Sequence, residues 1–79
     1  MNLVLVGQRL RKLRGDTPLY IVAAEVKRTS GVNINPRTLE LYEKGKVEPS
    51  FVKLDAVARY YGVTTDWLGG RLQPQVSSG

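Results

Sequence analysis

The sequence predicts a compact all-α fold built from five short helices. Three observations predict it: apolar residues recur at intervals of three and four along separate stretches, capping residues open those stretches, and glycines close them. Two of the openings, Thr17-Pro18 and Asn35-Pro36, place proline directly after the capping residue, where a missing N–H costs nothing.

The first helix is expected over Leu3 to Arg14, with Leu3, Val6, Leu10 and Leu13 on its inner face. Gln8, Arg9, Arg11, Lys12 and Arg14 fall elsewhere around it, on a face that is either solvated or turned to phosphate. Gly7 weakens the segment by up to ~1 kcal/mol relative to alanine, so the Leu3 to Val6 end is expected to fray or to run extended. The second helix should start at Thr17-Pro18, with Leu19, Val22, Ala23 and Val26 inward and its stop in Lys27 to Gly31. Tyr20 and Ile21 lie off that stripe. They read as core at the flank of a small domain, in preference to a surface that pairs with another chain.

The third helix is the most sharply marked. Asn35 is its N-cap and Pro36 its first residue, Ile34 and Leu39 form a hydrophobic staple, and Gly45 supplies the left-handed stop. Leu39 and Tyr42 look inward. Pro36, Arg37, Glu40 and Lys44 are left outside, with Leu41 either outside or packed in. A capped helix presenting Arg37 and followed by Lys44 and Lys46 is a candidate DNA-reading helix. An extended connector through Pro49 then leads to Ser50, the cap of a fourth helix, in which Phe51, Leu54, Val57, Ala58 and Tyr61 keep the helical interval. Thr64 caps a brief fifth helix stapled by Val63 and Leu68, and Trp67 either closes the core, the preferred reading, or lies in a dimer seam. Residues 1–69 thus form the folded domain, and residues 70–79, with no apolar period, form a flexible tail.

Composition narrows the function. The chain of 79 residues has room for one domain, and 42% hydrophobic residues suffice for one core. A formal charge of +5 and a pI near 9.9 favour an anionic partner. With neither cysteine nor histidine, the chain lacks the groups for disulfides, a zinc site and the usual nucleophile-base pairs, so no enzymatic activity, cofactor or small-molecule substrate is expected. The apolar run Leu3 to Val6 is far shorter than the ~20 residues of a membrane span and resembles no export signal. A cytoplasmic protein without membrane contact is expected.

Four stretches carry a further likeness: Gly7-Gln8-Arg9-Leu10-Arg11-Lys12-Leu13-Arg14, Thr38-Leu39-Glu40-Leu41-Tyr42-Glu43-Lys44-Gly45-Lys46, Pro49-Ser50, and Tyr61-Gly62-Val63-Thr64-Thr65-Asp66-Trp67-Leu68. In their order and spacing they resemble the lambda-repressor-like helix-turn-helix family, the Cro/C1 or Xre type, over about Val6 to Gly69. The resemblance implies that Asn35, Pro36, Arg37 and Leu41 face the bases. It also implies that Thr38, Lys44 and Lys46 hold phosphates and that Arg14 and Glu43 form a structural ion pair. Arg37 then meets either guanine or, the reading preferred for a lone arginine, a phosphate. Leu41 meets a thymine methyl, packs inside, or marks modest readout.

The sequence departs from the family pattern in three places. The second helix opens with Pro18 or Leu19 where the family has a polar phosphate contact. The connection from Lys27 to Asn35 is a few residues long, which requires either an extra turn of the second helix or a loop. Leu41 replaces a commonly polar reader.

The function implied is a sequence-specific regulator of transcription, a repressor in the first instance, binding double-stranded DNA as a homodimer over half-sites ~34 Å apart. Tyr20, Ile21, Trp67, Leu72 and the Leu3 to Val6 end are its candidate dimer surface. The alternative is a protein-interaction module of the same fold, antitoxin-like or adaptor. The loss of the polar residue at the second helix and the presence of Glu40 and Leu41 on the reading face support that alternative.

Overall fold

A computed structural model of the chain describes residues 1–69, so the expected tail at 70–79, with Leu72, lies outside the described residues. Five helices follow in order: α1 (Leu3–Arg14), α2 (Leu19–Ser30), α3 (Pro36–Glu43), α4 (Phe51–Tyr61) and α5 (Thr65–Gly69). They enclose one core, in which Val6, Leu10, Val22, Val26, Leu39, Tyr42, Leu54, Val57 and Leu68 are buried together with the connector residue Ile34. Among the described residues no helix is long and apolar enough to cross a membrane.

The helix ends follow from local chemistry. Asn35 Oδ1 accepts from Arg37 N at 2.8 Å, Ser50 Oγ from Lys53 N at 3.3 Å and Thr64 Oγ1 from Trp67 N at 3.0 Å. A further cap, Asn2 Oδ1 accepting from Leu5 N at 3.0 Å, starts α1; the asparagine immediately before the first apolar run is the signal for it.

Several expectations are corrected. Gly7 neither frays α1 nor lets it run extended, and the helix is continuous from Leu3. The reason is packing: a Cβ at Gly7 would stand 2.4 Å from the carbonyl oxygen of Glu43 and 2.7 Å from that of Tyr42, so α1 crosses the end of α3 where only hydrogen fits. Thr17 does not cap α2. Pro18 occupies the cap position, and its carbonyl receives Ile21 N and Val22 N at 3.1 and 3.2 Å, so the helix opens one residue later with no side-chain cap.

Tyr20 and Ile21 are not flank core but exposed, Tyr20 at 65%, because the buried arc of α2 is filled by Val22 and Val26. Phe51 shares a stripe with Leu54 by spacing, yet it is 70% exposed. It stands in the first turn of α4, where a groove and not a neighbouring helix lies beside it, and Ala56 takes a place in the core instead.

Both ways of spending the extra residues between the second and third helices are used. The α2 helix runs on to Ser30, and residues 31–35 then form a short non-helical connection. The last turn of α2 is stitched back on itself: Thr29 Oγ1 donates to Glu25 O at 2.9 Å and Ser30 Oγ to Val26 O at 2.7 Å, while Ser30 Oγ accepts from Val32 N. Ile34, buried, pins the far end of the connection.

The Gly7 crossing predicts that Gly7→Ala lowers stability by about 1–3 kcal/mol, the usual cost of overpacking, although alanine is the better helix former by ~1 kcal/mol. Urea denaturation of the two proteins measures the sign. Burial, aided by the Glu43 carboxylate, also pushes the Tyr61 phenol up to about 12. A phenol whose folded value lies above its unfolded value near 10 contributes stability that is complete below pH 10 and lost as the pH rises toward 12. Alkaline titration of phenolate absorbance should show Tyr61 ionising late, and with it Tyr42, which burial also raises, together with that loss.

Candidate nucleic-acid interface

The candidate site is the outer face of α3 and what flanks it. At its start Asn35 is exposed, but its side-chain oxygen is taken by the cap, which leaves only the amide N–H groups free to donate outward. At its end the chain closes a Schellman motif: Gly45 N donates to Tyr42 O and Lys46 N to Leu41 O, each at 3.0 Å, with Gly45 at φ 70°. The same glycine lies under α1, where a Cβ would sit 3.3 Å from Leu3 O and Val4 Cα. A side chain there would therefore meet both a left-handed backbone and a neighbouring helix.

Between these ends the exposed face is charged. Arg37 Nη1 donates to Glu40 Oε1 at 3.0 Å, and Lys44 Nζ lies 3.2 Å from Glu40 Oε2. Both cations are well exposed, with side chains 68% and 53% accessible. Glu40 therefore sits between two cations on one face, at the i−3 and i+4 positions where helix neighbours meet. The Lys44 ammonium first, and the Arg37 guanidinium second, hold its carboxyl below the usual carboxylate range. These contacts persist above that lowered value and fade as the pH falls through it.

Pro36, Thr38 and Leu41 are half-buried beside this face, and Lys46 is exposed just beyond it. A shallow hollow of ≈ 330 Å³ lies between α1 and α3, bordered by Arg11, Arg14, Leu19, Glu40 and Lys44. It brings a cation of the first helix toward the reading helix, a neighbour that spacing along the chain does not reveal.

Behind the face, Arg14 and Glu43 are joined by two parallel hydrogen bonds, Nε to Oε2 at 2.7 Å and Nη2 to Oε1 at 3.0 Å. Arg14 Nη1 also donates to Thr17 O at 2.9 Å, so one guanidinium ties the ends of α1 and α3 to the start of α2. The pair is mostly buried, and the hydrogen bond to Glu43 raises the Arg14 pKa.

The candidate dimer residues differ in exposure. Tyr20, Ile21 and Val4 are exposed. Trp67 is packed against the core, with the Arg9 guanidinium 4.5 Å from the centre of its ring and donating to its carbonyl oxygen.

Residues 8–68 match the model of a family described as Helix-turn-helix. The chain belongs to that family, of the Cro/C1 (Xre) type. The matched region runs from α1 into α5, so this helix-turn-helix domain has the lambda-repressor-like fold, and the family is DNA-binding and non-catalytic. Comparison with curated proteins and with solved structures finds no match.

The geometry of the ion pair in this helix-turn-helix domain predicts that Arg14→Met and Glu43→Gln each destabilise it. Losing one partner of a buried pair costs about 3–5 kcal/mol, and the residual exposure here brings the expectation to about 2 kcal/mol. The double variant should lose less than the sum of the two, which a double-mutant cycle in urea measures.

Proposed function

We propose that this domain is a sequence-specific transcriptional regulator, acting as a repressor by occupancy, that inserts α3 into the major groove of double-stranded DNA. The observation that carries the reading is the shared exposed face of Arg37 and Lys44, with Lys46 directly after it. Had those cations pointed away from the outer side of α3, an interaction module of the same fold would be favoured. Their convergence supports DNA.

In this reading Arg37 reaches either guanine O6 and N7 or a phosphate, and Leu41 and Pro36 offer apolar contact to thymine methyls. The Asn35 amide donates to a base edge or to the backbone. Thr38, Lys44 and Lys46 hold phosphates, which fixes register without reading sequence. The uncapped start of α2 offers its first N–H groups, but no side chain, at the place where the family has a polar residue. Arg14 and Glu43 set the angle at which α3 is presented. Two copies bind two half-sites, in the cytoplasm of the cell.

Selection of bound fragments from a DNA pool, followed by salt titration on the enriched sequence, tests the proposal. Arg37→Ala should weaken binding by about 1–3 kcal/mol and flatten the preference at one base pair if it reads guanine. Lys44→Ala should weaken binding to all sequences alike and reduce the slope of log affinity against log salt by about 1. Failure to enrich any sequence, or an affinity indifferent to salt, would refute it.

A further inference from the structure

A second unfilled surface feature lies away from α3. It is a groove of ≈ 590 Å³ between the end of α2 and the start of α4, and no residue of α3 lines it. Its apolar lining is Val32, Phe51, Val52, Ala56 and Tyr60, of which Phe51 and Val52 are 70% and 63% exposed. Two large apolar side chains standing side by side at a helix start, next to an open groove, form the kind of contiguous patch that marks an association surface. Ser50 caps the helix and Pro49 is buried beneath it, so the patch is held on a fixed backbone.

The charges around the groove say what fits it. Arg28, Arg59 and Asp55 line the groove; Arg28 is paired with Glu25 beside it on α2 and Arg59 with Asp55, so the paired charges at this edge, two cations and two acids, cancel. The +5 of the chain lies elsewhere. Over the rest of the surface two copies repel each other, and an acidic partner would be drawn to the rest of the surface and not to this groove. A rim with equal numbers of both signs is self-complementary, as a two-fold contact between identical patches requires.

We propose that this groove seats a second copy of the chain, with Phe51 of each protomer lying in the groove of the other and Arg59 of each facing the partner's Asp55. The α4 helices then pack antiparallel across a two-fold axis. Both reading faces stay free. Only the use of this contact on DNA rests on the function proposed above; the contact itself forms without DNA, and it leaves Tyr20, Ile21 and Trp67 outside the interface.

Sedimentation equilibrium of the full chain without DNA tests it. The wild type should show a monomer–dimer equilibrium. Phe51→Ser should raise the dimer dissociation constant at least about tenfold, as loss of an interface anchor does, with an unchanged circular dichroism spectrum because the ring contributes little to the core. Asp55→Arg and Arg59→Asp should each abolish self-association, and an equimolar mixture of the two should dimerise again, since each acid then faces a cation. A wild type that stays monomeric to about 1 mM, where association energy falls to ~4 kcal/mol, overturns the proposal. Dimerisation unaffected by Phe51→Ser overturns it too, as does a mixture of the charge variants that fails to associate. A wild-type dimer that binds no DNA would refute the regulatory reading and leave this contact standing.

Discussion

The crossing of α1 over the end of α3 is the constraint on which the other contacts depend. Gly7 lets the two backbones touch at the carbonyls of Tyr42 and Glu43, and Gly45 lets the following turn pass beneath Leu3 and Val4. Once the helices are that close, Arg14 reaches Glu43 with both of its forks and still reaches back to Thr17. Three helices are thereby fixed against one another by backbone contact and by one guanidinium. The hydrophobic core alone would place them less sharply, because apolar contact is non-directional. The presentation of α3 is thus set from behind, by residues that face away from any ligand.

The end of α2 is governed by different chemistry. There α2 is longer than the family pattern implies, and the two hydroxyls of its last turn return to the carbonyls of Glu25 and Val26. The added residues become a stitched helix end and a short connection anchored by Ile34, which leads straight into the Asn35 cap of α3. The groove beside Phe51 lies at this same end, lined in part by Thr29, Ser30 and Val32 from the lengthened segment.

Much of this was legible from residue order. The spans of α1 and α3, the caps at Asn35, Ser50 and Thr64, and the Gly45 stop follow from capping and spacing, because those signals are local and act within one turn. What escaped depends on partners distant in sequence. Gly7 looks like a helix weakness until Glu43 is placed against it. Tyr20 and Ile21 look like core at the flank and Phe51 looks inward by period, yet spacing gives the direction of a side chain and not whether anything stands in that direction. Arg9 over Trp67, and Arg11 near Lys44, join α1 to elements more than thirty positions away, which no local pattern encodes. The start of α2 differs from the expected Thr17 cap for a local reason: Pro18 serves as the cap itself, and the Thr17 carbonyl accepts from Arg14.

Glu40 gives the outer face a property that a count of cations conceals. Arg37 and Lys44 each already have an anionic companion on their own helix. An external anion that engages either side chain does so beside a carboxylate already in place, which reduces its gain without cancelling it, since Arg37 spends only Nη1 on Glu40 and both pairs are exposed. The helix carries its own competitor, and that competitor raises the standard an outside partner has to meet.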